Sequence, residues 1–249
     1  MSAEVVITSW SADGYRLYGN RFLKRFVKYW PSSTRLVLYT DRPEVHEGVE
    51  MRHTFDLEDW SDVAARWRRD PSVHGWSTET LKRSKPYSYL WDAARFAVKV
   101  FVWRDAARAL GTGTIMWLDG DTETIMRIPS GWPTTLLGDA DVAFLGRGKM
   151  HPETGYVGFR VPEALPLLEW CCDAYTSDRF RAMTDGWTDC HILRAGLAAV
   201  DVRWVNLTKG RYEGKSHIWP ESPLGFFIDH AKGMARKRRS RKKKSEPQQ

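Results

Sequence analysis

The chain has 249 residues, of which 42% are hydrophobic and 13% aromatic. This length fits one large α/β domain, and the apolar content excludes a chain that is disordered throughout. No apolar run reaches the roughly 18 residues of a membrane span, and the N-terminus lacks the basic start of a signal peptide. Cys171, Cys172 and Cys190 have no CxxC spacing, which argues against a disulfide framework or a zinc site. We therefore expect a soluble, cytoplasmic protein.

The net charge of +7 comes from the C-terminus. Eight of the nine residues from Arg236 to Lys244 are Lys or Arg, and without residues 236–249 the chain has 30 basic and 30 acidic residues. We expect a globular domain over residues 1–233 and a disordered basic tail over residues 234–249. Such a tail attracts nucleic acid or an anionic membrane surface, or it only keeps the protein in solution.

The N-terminal part has the pattern of alternating strands and helices. Residues 4–9 (EVVITS) and 34–40 (TRLVLYT) are predicted strands, and aromatic residues spaced three or four apart predict a helix over residues 14–30. This β-α-β order predicts a parallel sheet with functional loops at the carboxyl ends of its strands. Residues 53–85 predict only short helices and loops. An apolar stripe predicts a helix over residues 87–110.

The middle of the chain carries the strongest chemical signal. Residues 114–118 (TIMWL) predict a buried strand that leads directly into Asp119-Gly120-Asp121. Two carboxylates that flank a glycine can turn toward one cation, because glycine lets the backbone bend close past a ligand. Turns also use Asp and Gly commonly, but two carboxylates next to a buried strand would be costly without a counter-ion.

Two further groups can belong to the same site. On the helix before this strand, Arg95 and Lys99 lie four residues apart and can converge on one anion, or they form a solvated helix face. Later strands are predicted at residues 141–145, 155–160 and 201–206, and a helix over residues 163–182. A polar turn then precedes a helix near Cys190, and Asp189 is either its cap or a functional carboxylate.

The order of these elements resembles the GT-A class of glycosyltransferases over approximately residues 4–233. The resemblance implies one Rossmann-like α/β domain with a mixed, mostly parallel central sheet flanked by helices. It also implies a nucleotide-sugar donor, with UDP as the general expectation. In such enzymes a first strand, ending here at Thr8-Ser9-Trp10, begins the nucleotide pocket, and Asp41 at the end of the second strand can contact the base or ribose.

The late segment Asp229-His230-Ala231-Lys232-Gly233 resembles one that supplies a further metal ligand and a basic contact to the diphosphate in many of these enzymes. The implied ion is Mn²⁺ or Mg²⁺, and an imidazole among oxygen ligands favours Mn²⁺. The implied metal ligands are Asp119, Asp121 and His230. The implied donor-binding residues are Thr8, Trp10, Tyr15, Asp41, Arg95, Lys99, Asp119, Gly120, Asp121 and Lys232. Among them, Trp10 or Tyr15 could stack on the base.

The acceptor hydroxyl must lose its proton if the reaction inverts the anomeric centre, and a carboxylate near the sugar is the usual base. We expect Asp189 in this role, with Asp185 as the second choice. A retaining reaction needs no such base, and Asp189 would then bind sugar hydroxyls. The sequence leaves the stereochemistry open.

The basic tail favours a polyanionic acceptor. Our prediction is DNA with hydroxymethylated bases, as small bacteriophage glycosyltransferases modify; protein, lipid-linked glycan or polysaccharide acceptors are alternatives. Two other functions compete. A phosphatase of the haloacid dehalogenase type also has an Asp pair after an apolar strand, but near the N-terminus. A nucleic-acid-binding module would need a basic body, whereas the body here is neutral.

Overall fold

The computed structural model describes residues 3–42, 46–76, 87–208 and 218–230. Its strands are β1 (Glu4–Trp10), β2 (Thr34–Thr40), β3 (Glu50–His53), β4 (Gly113–Leu118), β5 (Thr122–Thr124), β6 (Val142–Arg147), β7 (Met150–Val161), β8 (Trp204–Asn206) and β9 (Ile228–His230). The longer helices are α1 (Asn20–Tyr29), α2 (Trp60–Trp67), α3 (Ala93–Leu110), α4 (Trp132–Leu137), α5 (Leu165–Thr176) and α6 (Asp189–Ala199).

Seven strands form one sheet in the order β3-β2-β1-β4-β7-β6-β8. The pairs β1–β2, β1–β4, β2–β3 and β6–β8 are parallel, whereas β7 runs antiparallel to β4 and β6. The predicted single α/β domain with a mixed, mostly parallel sheet is therefore confirmed. A separate two-stranded sheet pairs β5 with β9.

Helices cover both faces of the large sheet, and the strand sequences explain why. Successive side chains of a strand point to opposite faces, so Val5 and Ile7 lie in one core and Val6 in the other. The same alternation divides Ile115 from Met116 in β4. Because both faces are buried, these strands are apolar at nearly every position, which is why they were predictable.

Two predicted helices begin or run differently from the expectation. The helix predicted over residues 87–110 begins at Ala93, because the carboxylate of Asp92 accepts a hydrogen bond from the Arg95 backbone N–H at 3.2 Å. The residues before it, Tyr89–Trp91, form a 3₁₀ turn. The predicted helix at residues 14–30 contains a π-helical segment, Tyr15–Gly19, ahead of α1. Apolar spacing does not distinguish these variants from a continuous α-helix.

The C-terminal half also differs in its boundaries. The strand predicted at residues 155–160 extends over Met150–Val161, and the helix predicted at residues 163–182 ends at Thr176 before a 3₁₀ turn. The predicted basic tail and Lys232 lie outside the described residues. Within the part of the chain that is described, no helix is both long and apolar enough to cross a bilayer.

Candidate functional site

A cleft of about 840 Å³ opens beyond the carboxyl ends of β1 and β4. Parallel strands carry their functional loops at this edge of a sheet. The cleft wall combines the end of β1, the first half of α3, the turn after β4, the start of β7, the start of α6 and the end of β9. The polar residues that line it are Ser9, Tyr18, Tyr87, Tyr89, Arg95, Lys99, Asp119, Asp121, Arg147, His151, Glu153, Thr154, Thr188, Asp189, Cys190 and His230.

The Asp119-Gly120-Asp121 turn is fixed by backbone hydrogen bonds. The Asp119 N–H donates to the Gly155 carbonyl at 2.9 Å, which continues the β4–β7 pairing. The Thr122 N–H then donates to the Asp119 carbonyl at 2.9 Å and closes the turn. A Cβ atom on Gly120 would lie 2.8 Å from the Trp10 ring, so glycine is required here. The same Cβ would lie 2.9 Å from Tyr18 Cε2, so a core tryptophan and a cleft tyrosine both restrict this position.

His230 lies beside this turn although it is more than a hundred residues away in sequence. The pairing of β5 with β9 sets His230 opposite Thr122, the residue that follows Asp121. The His230 Nε2 atom is 3.2 Å from Asp121 Oδ1 and 3.9 Å from Asp119 Oδ2. One ligand atom from each of the three residues lies within 4.8 Å of the others. The predicted trio of metal-ligating types is therefore assembled at one point of the cleft.

The surroundings of this trio fit a divalent cation. Two carboxylates and an imidazole suit Mn²⁺, whereas Mg²⁺ prefers oxygen ligands alone. The His230 ring is nearly buried and is held by the backbone opposite it: a Cβ atom on Gly155 would lie 2.6 Å from His230 Cε1. Glycine at this point of β7 thus leaves the space that the imidazole fills.

Lys99 links the trio to the opposite wall of the cleft. Its ammonium lies 2.8 Å from Asp119 Oδ1 and 2.8 Å from Asp189 Oδ2, and it also donates to the Thr154 carbonyl at 2.5 Å. Burial alone would lower the pKa of Lys99, but the charges of Asp119 and Asp189 outweigh it and hold this pKa above its ordinary value. Lys99 is therefore a charged bridge between two carboxylates.

The remaining predicted donor-binding residues divide between the cleft and its surroundings. Arg95 is exposed and lines the cleft. Thr8 is fully buried in β1, and Trp10 packs on Phe22 in the core at 5.6 Å between ring centroids. Trp10 and Tyr15 line a separate cavity of only about 10 Å³, which is no larger than a water molecule.

Asp41 also lies outside the cleft lining. Its carboxylate accepts a hydrogen bond from the Ala12 N–H at 3.1 Å and so supports the turn that follows β1. The structure therefore does not bring Thr8, Trp10, Tyr15 or Asp41 into the large cleft.

The two carboxylates predicted as catalytic bases have different surroundings. Asp189 is only 2% exposed at the start of α6, lines the cleft and accepts a hydrogen bond from the Thr154 hydroxyl at 2.6 Å. Asp185 is exposed, pairs with Arg194 at 3.2 Å and does not line the cleft. The geometry therefore favours Asp189.

Two cleft residues had no signal in the sequence. Burial, helped by the charges of Asp121 and Asp119, raises the pKa of Tyr18 to about 12, so its phenol stays protonated at neutral pH. Burial and the neighbouring His191 lower the pKa of His151 to about 4, so its imidazole is neutral. The two histidine rings lie 4.2 Å apart between centroids. A lone Tyr or His has no motif, and only the fold shows that these reach the cleft.

Comparisons with known proteins bear on the fold. No family model matches the sequence, and no curated protein matches it significantly. Among solved structures, the chain is similar to the WbbM bifunctional glycosyltransferase in its apo form, with a TM-score of 0.51 and 12% identity over 93% of this chain and 46% of that one. The chain thus spans about half the length of that protein.

A second solved structure matches over nearly the whole of both chains. It is a glycosyltransferase involved in the glycosylation of the major capsid of PBCV-1, with a TM-score of 0.52 and 11% identity over 97% of this chain and 98% of that one. The chain therefore has a glycosyltransferase fold, and that part of the sequence-based resemblance is confirmed.

Replacing Lys99 by Met should leave the Asp189 carboxylate buried without its cation. We expect urea unfolding to show a loss of about 3–5 kcal/mol in the free energy of unfolding. The double variant Lys99→Met/Asp189→Asn should recover part of that loss, because the buried charge is then removed. A loss below about 1 kcal/mol in the single variant would mean that Lys99 is not a structural bridge.

Replacing Gly155 by Ala should displace the His230 ring and weaken Mn²⁺ binding roughly tenfold or more, as changes next to metal ligands do. Isothermal titration with MnCl₂ measures this. Gly158→Ala, in the same strand, is the matched control: its Cβ would meet the Tyr156 hydroxyl and not His230. Equal Mn²⁺ affinity in wild type and Gly155→Ala would contradict the arrangement.

Acid should destabilise the protein through His151. Because its pKa in the folded chain is below the ordinary value of 6.5, the stabilisation is complete above pH 6.5 and is lost as pH falls toward 4. We expect His151→Gln to lose roughly 2–4 °C less in melting temperature than wild type between pH 6.5 and 4.5. Parallel pH profiles of the two proteins would show that His151 is not responsible.

Proposed function

We propose that the protein is a metal-dependent glycosyltransferase that moves a sugar from a nucleotide-sugar donor to an acceptor hydroxyl. The observation that carries this proposal is the meeting of Asp119, Asp121 and His230 within 4.8 Å on the wall of an 840 Å³ cleft. The glycosyltransferase fold supports it independently. The phosphatase alternative is less well supported, because here the Asp pair follows β4 and not the first strand.

The two carboxylates and the imidazole would hold Mn²⁺ or Mg²⁺. When bound, the ion neutralises charge that develops on the leaving diphosphate. We propose that the turn from Asp119 to Asp121 binds the donor diphosphate through this ion. UDP is the nucleotide that we expect, from the resemblance to GT-A enzymes.

Two predicted donor-binding cations line the cleft, and they differ in how far they are free to contact a diphosphate. Arg95 is exposed in the cleft lining, and a guanidinium can hold two phosphate oxygens at once. Lys99 was also predicted to bind the donor, but its ammonium is bonded to Asp119 and Asp189. We therefore propose that Lys99 positions Asp119 and adds positive charge to the cleft without contacting the diphosphate. Lys232, outside the described residues, remains a predicted diphosphate contact.

In the transfer step, the acceptor oxygen bonds to the anomeric carbon while the bond from that carbon to the diphosphate breaks. The hydroxyl proton passes to a base. We assign this role to Asp189 if the reaction inverts configuration, because its carboxylate lies at the start of α6 in the lining of the cleft. In a retaining reaction the same carboxylate would bind sugar hydroxyls.

For the acceptor we propose DNA that carries hydroxymethylated bases. The support is the sequence from Arg236 to Lys244, in which eight of nine residues are basic while the rest of the chain is neutral. Contacts between Lys or Arg side chains and phosphates add affinity for nucleic acid that does not depend on base sequence. In a duplex the base would have to leave the stack to reach the cleft. Protein, lipid-linked and polysaccharide acceptors are the alternatives to exclude.

Thermal-shift measurements with UDP, GDP, UDP-glucose, UDP-GlcNAc and GDP-mannose, each with and without Mn²⁺, test the donor assignment. We expect one nucleotide, only together with Mn²⁺, to raise the melting temperature by roughly 5–10 °C at a hundredfold excess over its Kd. Asp121→Ala should remove the Mn²⁺-dependent part of the rise and all metal-dependent turnover without unfolding the chain. The absence of any nucleotide effect on folded wild type would contradict the proposal.

Asp229→Ala is the matched control for Asp121→Ala. Asp229 lies in the same two-stranded sheet, next to His230, but is exposed and is not part of the trio. This variant should respond to nucleotide and Mn²⁺ as wild type does. An equal loss in both variants would point to damage to the β5–β9 sheet and not to a metal site.

A further inference from the structure

A second groove, of about 420 Å³, lies at the β8 edge of the large sheet. The hairpin between β6 and β7 forms one wall, α6 forms the other, and β8 forms the floor. The residues that line it are Phe144, Gly146, Arg147, Gly148, Lys149, Met150, Pro152, Arg194, Leu197, Ala198, Trp204 and Asn206.

Trp204 gives this groove a flat aromatic surface. Its side chain is 54% exposed although it belongs to a strand of the sheet. The ring packs against the buried Phe144 ring at 5.6 Å between centroids, so it is supported from below. An exposed, supported tryptophan is a platform on which a planar ring can stack.

The floor beside Trp204 is held in place. The Gly146 N–H donates to the Asn206 side-chain oxygen at 2.8 Å, and the Thr208 hydroxyl donates to the Gly146 carbonyl at 2.7 Å. A Cβ atom on Gly146 would lie 2.2 Å from Asn206 Nδ2, so this contact requires glycine. The groove is therefore preformed and would lose little freedom on binding a ligand.

The charge of the groove is positive. Arg147, Lys149 and Arg194 line it, and none of the described residues in its lining is a carboxylate. Arg147 is buried and pairs at 3.7 Å with Glu153, which lines the neighbouring cleft, so the exposed charge of the groove comes from the other two residues. Lys149 and Arg194 are exposed, and Asp185, which pairs with Arg194, lies outside the lining. Exposed cations around an aromatic surface, with no carboxylate in the lining itself, suit an anionic chain that carries planar rings.

The groove adjoins the cleft of the proposed active site. Arg147 lines both, and the first residues of β7 form the wall between them. Because successive side chains of a strand point to opposite sides, Met150 and Pro152 face the groove while His151 and Glu153 face the cleft.

We propose that this groove binds a single-stranded nucleic-acid segment, with a base stacked on Trp204 and phosphates near Lys149 and Arg194. The inference rests on the proposed function, since it makes the groove the acceptor subsite of that cleft. The nine-residue basic segment from Arg236 to Lys244 favours a nucleic acid, because each phosphate that a Lys or Arg neutralises releases a bound counterion. An acidic polysaccharide is the alternative that the test must separate.

Fluorescence anisotropy with a labelled 12-nucleotide oligothymidine, at 50–300 mM NaCl, tests the groove in the full chain. We expect Trp204→Ala to weaken binding roughly tenfold at every salt concentration, because stacking does not depend on salt. Lys149→Ala/Arg194→Ala should weaken binding mainly at low salt and reduce the slope of log Kd against log salt. The basic tail contributes equally to all these proteins.

Two matched controls remove the same groups elsewhere. Phe55→Ala removes another half-exposed aromatic ring, and Lys28→Ala/Arg179→Ala removes two exposed cations; none of the three residues lines the cleft or the groove. Controls that bind as wild type does, beside weakened groove variants, support the proposal. Groove variants that bind as tightly as their controls overturn it.

Competition with a uronic-acid polysaccharide separates the two anionic ligands. The nucleic-acid assignment is supported if the polysaccharide displaces the labelled oligonucleotide only when its carboxylates are in large molar excess over the phosphates of the oligonucleotide. If the polysaccharide binds, loses affinity in Trp204→Ala, and the oligonucleotide does not bind, the assignment is overturned. The nucleotide and Mn²⁺ effect on wild-type melting is measured separately, so a failure of the donor site is not mistaken for a failure of the groove.

Discussion

The buried ammonium of Lys99 holds two walls of the cleft in one geometry. It contacts Asp119 at the end of β4 and Asp189 at the start of α6, two points 70 residues apart in sequence. A buried charge is tolerated only with partners, so each member of this group restricts the position of the others. Lys99 and the Trp117 indole N–H, which donates to Asp119 Oδ1 at 2.9 Å, together orient the Asp119 carboxylate.

The second constraint is the short β5–β9 sheet. It fastens residues 228–230 against the turn that follows β4, and thereby sets an imidazole beside two carboxylates. Gly120 and Gly155 permit this close assembly, the first beside Trp10 and the second beside His230. The β5–β9 pairing and the two glycines, which carry no side chain, determine where the two carboxylates and the imidazole meet.

Much of the fold followed from the sequence, for a physical reason. Strands buried on both faces are continuously apolar, so β1, β2 and β4 were predicted within a residue or two. The Asp pair was found because it directly follows such a strand. The predicted helix boundary was wrong where a local interaction decides it. The carboxylate of Asp92 caps α3, so the helix begins at Ala93, six residues after the predicted start.

The site was predictable only in part. Residues in a named pattern, such as Asp119, Asp121 and His230, were found, and the structure brings them together. Thr8 was placed in the donor pocket, yet it lies within β1 and is fully buried, and Asp185 lies outside the cleft. His151 and Tyr18 reach the cleft only through tertiary packing, which leaves no trace in the spacing of residues.

The most direct measurement of the central claim is an anomalous difference map, recorded at the manganese edge, from crystals soaked with Mn²⁺ and UDP. The account predicts one strong peak within coordination distance of Asp119, Asp121 and His230, with the diphosphate as a further ligand. A diphosphate bound in the cleft with no peak at these residues, or a peak held by other residues, would contradict it.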